Sequence, residues 1–252
     1  SEMCIRDRLI TSATKDATMA KYDTLFIDGV QTPAATSNRI NVVSAATEEV
    51  IGSAPEASTS DVDTAVAAAR RAFNDPRGWT NWSPQERAKT IEKFAEELET
   101  RSAQITSLVA QQNGMPISTA GILESALPTA VYRYYAGLLV ETEQEETRPG
   151  LLGGRAVIRK MPMGVIAAIV PWNYPNLITA AKLAPALAAG CTAVLKPSPE
   201  TILDSYLLAE AATSAGVPAG VINIVPGGTQ TGQYLVSHPD VDKVSFTGSS
   251  AV

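Results

Sequence analysis

The sequence predicts an α/β fold whose second half is a doubly wound parallel sheet, and three observations carry that prediction. Four short apolar runs, GVIAAIV (164–170), TAVLK (192–196), VINIV (221–225) and KVSF (243–246), show no polar alternation, as strands covered on both faces do not. Stretches with helical spacing separate them, PNLITAAKLAPALAAG, ILDSYLLAEAATSAG and TGQYLVSH. Each run also ends in a segment rich in Pro, Gly or Ser, at the carboxyl edge where such sheets gather ligands.

The elements before this sheet follow in order. Residues 1–18 carry charges of both signs and no apolar stretch, so they read as a leader unrelated to the rest, with Met19 as a natural start. LFIDGV, RINVV and EEVIGSA are β-favouring runs with Gly breaks and predict a small strand meander over residues 22–58. Ser60 is the expected cap of a helix through DVDTAVAAARRAFN, whose Val62, Ala65, Val66, Ala69 and Phe73 share one face. A single long helix is expected from Ser83 to Gly114. Ser83, Pro84 and Glu86 form its capping box, and Ile91, Phe94, Ala95, Leu98, Ile105 and Leu108 form its core stripe. The tyrosines of AVYRYYAGLL read as packing residues. ETEQEETRPGLLGG is an acidic, Gly-rich break, and RAVIRKMPMG after it alternates like an exposed strand suited to pairing with another subunit. The chain thus divides into a leader (1–18), strands and helices of a first part (19–143), a protruding oligomerisation strand segment (144–162) and the parallel-sheet part (163–252).

Composition narrows the function. With 45% apolar residues the chain holds a sizeable core, and a net charge of −6 without basic clusters argues against nucleic acid and anionic membranes. No apolar run approaches the roughly 18 residues of a membrane span. The two cysteines, Cys4 and Cys191, suit neither a disulfide framework nor a metal cluster, which fits a reducing, cytoplasmic setting and no metal site. The single histidine, His238, lies in SHPDVD and reads as a turn residue.

The strand ends carry the chemistry. PWNYP, KPSPET, PGG and FTGSS follow the four runs and bring Asn173, Lys196, Ser198, Glu200, Gly228 and Ser249 to one crevice. Lys196 offers donors to ribose hydroxyls and Glu200 an acceptor. Gly227 and Gly228 let backbone approach a flat ring. Ser249 stands before an expected helix whose amino end favours a pyrophosphate. Neither GxGxxG nor the P-loop pattern occurs.

PWNYP, KPSPET, GVINIVPGG and HPDVDKVSFTGSS together resemble the NAD(P)-dependent aldehyde dehydrogenase superfamily, from about residue 22 to the end. The resemblance implies an incomplete Rossmann-type sheet of the aldehyde dehydrogenase kind and oxidation of an aldehyde to a carboxylic acid. It implies that Asn173 holds the oxyanion formed when a cysteine thiolate attacks the aldehyde. Prolines at 171 and 175 are expected to keep its amide aimed. Lys182 matches a lysine of proton relay. Ile169, Pro171 and Trp172 match the nicotinamide side, Lys196 the adenosine ribose and Ser249 the pyrophosphate. Ser198, Glu200, Gly228, Gly232, Phe246 and Gly248 complete the implied coenzyme set. Many relatives that use NAD carry glutamate three residues after the lysine, where this chain has Pro199 and places Glu200 one position on. NAD is therefore the expected coenzyme with NADP left open.

The cysteine and glutamate of this chemistry lie in motifs downstream of FTGSS. The expectation is a fragment that is inert by itself and belongs to a homo-oligomer, a dimer or tetramer, when complete. A non-catalytic dinucleotide-binding module, or one that serves assembly alone, is the alternative. The aldehyde is not legible, nor is the choice between hydrolysis and transfer to coenzyme A.

Overall fold

The amino-terminal strands divide between two sheets rather than forming one meander. A computed structural model describes residues 20–249, so the leader, Cys4, Met19 and the helix expected after Ser249 lie outside the described residues. β1 (Ala20–Lys21), β4 (Arg39–Val43) and β5 (Val50–Pro55) make one sheet in the order β1-β5-β4, whereas β2 (Thr24–Ile27) and β3 (Val30–Pro33) form a hairpin on the main sheet. The apolar pattern explains the division. Leu25 and Ile27 enter the core on one side of the main sheet and Phe26 enters on the other, while Arg39–Val43 buries only Val42. Asp28 and Gly29, with φ of 56° and 76°, supply the tight left-handed turn of the hairpin.

Helix α1 (Thr59–Asn74) is capped by Ser58 and not by the expected Ser60. Ser58 Oγ accepts from Asp61 N at 3.3 Å and the Asp61 carboxylate accepts from Ser58 N at 2.9 Å. Asp61 is drawn to this role because its other oxygen accepts the Ala35 N–H at 3.0 Å, a tertiary contact no local pattern contains. The capping box of α2 (Pro84–Thr100) forms as expected, with Glu86 N to Ser83 Oγ at 3.2 Å and Ser83 N to Glu86 Oε2 at 2.8 Å. The single long helix is broken, however, at Arg101, where φ and ψ are −96° and 5° and α3 (Ser102–Asn113) begins. The Arg101 guanidinium folds back onto the Glu97 carbonyl at 2.8 Å and its carboxylate at 2.6 Å, holding the bend. α3 ends at Gly114 with φ 76°. α4 (Ile117–Ala120), a π-helical turn (Gly121–Ala126) and α5 (Leu127–Glu141) follow. Of the tyrosines on α5, Tyr132 is buried while Tyr134 is exposed. The acidic break itself contains a strand. β6 (Glu145–Pro149) pairs antiparallel with β7 (Arg155–Arg159), and every residue of both is exposed.

The main sheet then assembles from β8 (Val165–Ile169), α6 (Pro175–Ala188), β9 (Thr192–Lys196), α7 (Leu203–Ala215), β10 (Ile222–Ile224), α8 (Thr229–Ser237) and β11 (Lys243–Phe246). Its order is β11-β8-β9-β10-β2-β3, with the first four strands parallel and β2 antiparallel to β10. Val165, Ala167 and Ile169 pack with α1 and with Leu235 of α8, whereas Ile166, Ala168 and Val170 pack towards α6, α7 and the outer layer of α2 and α5. Cys191 is buried just before β9, and His238 closes α8, its Nδ1 accepting from Asp240 N at 3.1 Å.

β8, β9 and β10 progress in one direction and β11 returns to the far side of β8, so the strand order reverses between β8 and β11. The Asp242 carboxylate fixes that return. It accepts the Val165 N–H at 2.7 Å and pairs with Arg70, while Asp242 N donates to Val165 O at 3.0 Å. Gly164 makes room for it, with φ 126° and a position where any Cβ would overlap that carboxylate. Replacing Gly164 by Ala is therefore expected to destabilise the protein by about 2 kcal/mol or more, combining backbone strain with displacement of Asp242. Urea unfolding of the variant measures it, with an unchanged midpoint as the contrary result.

Candidate functional site

The rim formed by the strand ends is in register. Ile169 is paired with Lys196 on one side and with Phe246 on the other, and Val170 N and Thr247 N extend the ladder to Lys196 O and Ile169 O at 3.2 and 3.1 Å. The period of two then sorts the side chains. Ile169, Lys196 and Phe246 share the face covered by α8, and Ser245 faces α6.

On the α8 face, Lys196 is buried and its Nζ donates to Gly227 O at 2.7 Å and to Pro197 O at 3.0 Å. Burial pushes its ammonium down to about 8, opposed by the Glu200 carboxylate. Gly232 on α8 lies above it, where a Cβ would sit 3.4 Å from Lys196 Cε. Ser198 and Glu200 are hydrogen-bonded to one another, and Glu200 is exposed. Gly227 and Gly228 serve different ends. A Cβ on Gly227 would overlap Thr231, so this glycine is required by packing and not by approach of a ring, whereas Gly228 is the N-cap of α8, where a Cβ would meet only Glu56 Oε1 at an ordinary contact of 3.7 Å. Phe246, Gly248 and Ser249 are exposed, and Gly248 lies so close to the Phe246 ring that a Cβ would come within 2.6 Å of it.

The other side of the rim holds the loop 171–174, in which Trp172, Asn173 and Tyr174 are exposed before Pro175 opens α6. Lys182 of α6 donates to Ser245 Oγ at 3.1 Å, and partial burial lowers its ammonium below the ordinary lysine value. The rim thus brings Ile169, Lys196, Gly228, Gly232 and Phe246 together on one face, and sets Lys182 on the other.

These motifs have close counterparts. The sequence pattern of the aldehyde dehydrogenase family matches residues 32–252. The chain belongs to that family. Among curated relatives, geranial dehydrogenase of Castellaniella defragrans is 47% identical over 227 residues, covering 90% of this chain and 47% of that protein. Peroxisomal aminoaldehyde dehydrogenase 1 of Pisum sativum is 41% identical over 233 residues, covering 90% and 46%. A crystal structure of Mycobacterium tuberculosis aldehyde dehydrogenase complexed with NAD+ superposes with a TM-score of 0.89 at 42% identity, covering 93% of this chain and 48% of that one. The chain spans about half the length of the curated relatives it matches.

In this aldehyde dehydrogenase chain, sequence reasoning missed the residues that hold the loop. Asn113, the last residue of α3, donates from Nδ2 to Trp172 O at 3.2 Å and Asn173 O at 3.3 Å. Glu124, in the π-helical turn, accepts the Asn176 N–H at 2.8 Å, and burial pushes its carboxyl up to about 8. A glutamate inside the apolar run GILESALP was the one available signal, since an ionisable group at an apolar position needs a partner. Ser245, the partner of Lys182, was hidden within a strand. Among the described residues no group of His, Cys, Asp and Glu could hold a metal ion, and no helix is long and apolar enough to cross a membrane.

The buried Lys196 makes stability depend on pH. Its folded-state value lies near 8, below the 10.5 of an unfolded chain, so the unfolded state binds more protons between those limits and stability rises with pH across them. Relative to a Lys196→Met variant, the unfolding free energy is expected to climb by on the order of 2–3 kcal/mol from pH 8 to 10.5. Denaturant melts of both proteins across that range test it, and parallel curves would contradict it.

Proposed function

We propose that this chain provides the coenzyme site and the oxyanion donor of an NAD-dependent aldehyde dehydrogenase that oxidises an aldehyde to a carboxylic acid. The observation that carries the reading is the in-register rim at the strand reversal, with a buried lysine on one side and a braced asparagine loop on the other. In open α/β sheets that reversal is where a dinucleotide lies.

The residues suit the coenzyme. An ammonium has three N–H donors, and the two carbonyls that hold Lys196 leave one for a ribose hydroxyl. Glu200 beside it accepts from the other hydroxyl and disfavours a 2′-phosphate, which favours NAD over NADP. Ser198 orients Glu200, and Gly228, Gly232, Gly248 and Ser249 keep the α8 side of the rim free of large side chains. Ile169, Pro171, Trp172 and Phe246 supply the flat and apolar surfaces beside the nicotinamide. The bound dinucleotide supplies the hydride acceptor.

Asn173 acts on the aldehyde oxygen. When a thiolate adds to the carbonyl carbon, the side-chain amide donates to the developing oxyanion and lowers the barrier by about 3–4 kcal/mol. Lys182, held by Ser245 and with its ammonium destabilised by partial burial, is suited to passing a proton. Cys191 lies buried at the opposite end of β9 from the rim, so the attacking thiolate and the base that activates water are assigned to residues outside those described. The exposed ribbon of β6 and β7, with Val157 and Ile158 in the open, is the proposed contact of a homo-oligomer, and the proposed compartment is the cytoplasm.

In the longest gene product that carries this sequence, Asn173→Ala is expected to lower kcat by about two to three orders of magnitude with little change in NAD affinity. Steady-state kinetics with a coenzyme titration decide it, and intact turnover removes the oxyanion role. Lys196→Ala, in contrast, is expected to weaken NAD binding while leaving the aldehyde KM nearly unchanged. A loss confined to aldehyde binding would contradict the ribose assignment.

A further inference from the structure

We propose that Asn113 and Glu124 form a two-sided clamp that positions the Asn173 loop, and that one internal water shared by Glu124, Tyr132 and Asn176 completes it. The functional meaning of the clamp rests on the oxyanion reading of Asn173; its geometry does not.

Asn113 grips the loop from its carbonyl side. Its Nδ2 donates to the carbonyls of Trp172 and Asn173, and its Oδ1 accepts from Met115 N at 3.0 Å, which fixes the amide orientation. The turn at Gly114 aims the side chain there by ending α3 in a left-handed residue. Glu124 grips the loop from its N–H side. Tyr174, the N-cap of α6, offers no side-chain cap, and the Glu124 carboxyl takes that place by accepting from Asn176 N.

Glu124 Oε1, Tyr132 OH and Asn176 Nδ2 are all buried with no well-formed hydrogen bond, although the Asn176 side chain lies near enough to the Glu124 and Asp204 carboxyls to favour their ionised forms, and all three residues line one cavity of about 10 Å³, the room of a single water. The valences match. A water there accepts from the Asn176 amide and from a protonated Glu124, and donates to the Tyr132 hydroxyl. Desolvation together with the Asp204 carboxylate on α7 keeps Glu124 protonated at neutral pH. Asp204 and Tyr132 are the titratable groups facing it, the remaining lining being Leu98, Ile105, Pro128, Leu208 and neutral hydroxyls.

Hydrogen exchange of the segment 171–177 in the 252-residue chain tests the clamp without reference to catalysis. Asn113→Ala is expected to speed exchange at this segment about tenfold, the loss of two modest hydrogen bonds, while the β8 and β9 amides stay protected. Asn113→Asp keeps the acceptor for Met115 but loses the donor, so it should match Asn113→Ala; wild-type exchange in both variants overturns the clamp. Glu124→Gln preserves an acceptor for Asn176 N and a neutral side chain, and should keep the loop protected, whereas Glu124→Leu should not. Infrared difference spectra between Glu124→Gln and the parent at neutral pH should show the carbonyl stretch of a protonated carboxylic acid. A carboxylate signal instead overturns the neutral Glu124 and its water. In the longest gene product, Asn113→Ala should lower kcat with NAD affinity kept. If Asn173→Ala leaves turnover intact, the oxyanion reading fails while the exchange result still decides the clamp.

Discussion

The placement of the Asp242 carboxylate in the space vacated by Gly164 decides where the site can form. β11 follows β10 in sequence but must pair with β8, two strands away in the sheet, and nothing in KVSF itself specifies that partner. The carboxylate does so by accepting the first N–H of β8 while the Asp242 backbone N–H donates to the Val165 carbonyl. Arg70 on α1 neutralises it, so the tie also fixes the helix that covers that face. A slip of one residue here would turn Phe246 to the α6 side and Ser245 to the α8 side, exchanging the surroundings of both lysines.

Once the register is set, the sheet separates two tasks by parity. Lys196 faces α8 and Lys182 projects from α6 to Ser245 on the opposite face of the sheet, so two cations near one rim lie in different environments. Lys196 is the more deeply buried, and two carbonyls offset part of its desolvation while leaving its ammonium easier to deprotonate than a surface lysine. Lys182 is only partly buried and has a hydroxyl partner. Placing both on one face would have added mutual repulsion to each.

How much of this was legible follows from how local each cause is. The capping box at Ser83 could be read because both partners lie three residues apart, and the parallel strands because an unbroken apolar run has few other uses. Ser58 could not be preferred over Ser60, since Ala35, distant along the chain, makes the choice through Asp61. The helix break at Arg101 depends on a long side chain turning back, which apolar periodicity does not register. The division of the meander was in principle readable, because three successive apolar residues at 25–27 require cover on both faces. The motifs of the rim named the family, but the helices that hold its loop speak through one buried acid, in a stretch that drew no sequence reading, and one terminal asparagine, at the end of a helix that read as ordinary packing.

Those two residues change the account of how an exposed asparagine can be held in place. Prolines at 171 and 175 restrict their own φ angles and bias the residues before them, but they leave the torsions of Trp172 and Asn173 largely free. Fixing each such residue costs about 1–2 kcal/mol of conformational entropy, and solvent competes for every donor on an open loop. Hydrogen bonds to the carbonyls of Trp172 and Asn173 act on the very torsions the prolines do not reach, and the bond at Asn176 anchors the helix that follows. Neutral groups suit this purpose better than charged ones. Under the oxyanion role proposed for Asn173, an ionised carboxylate beside the loop would oppose the negative charge on the aldehyde oxygen that its amide receives, whereas a protonated Glu124 still accepts the Asn176 N–H without adding to that repulsion.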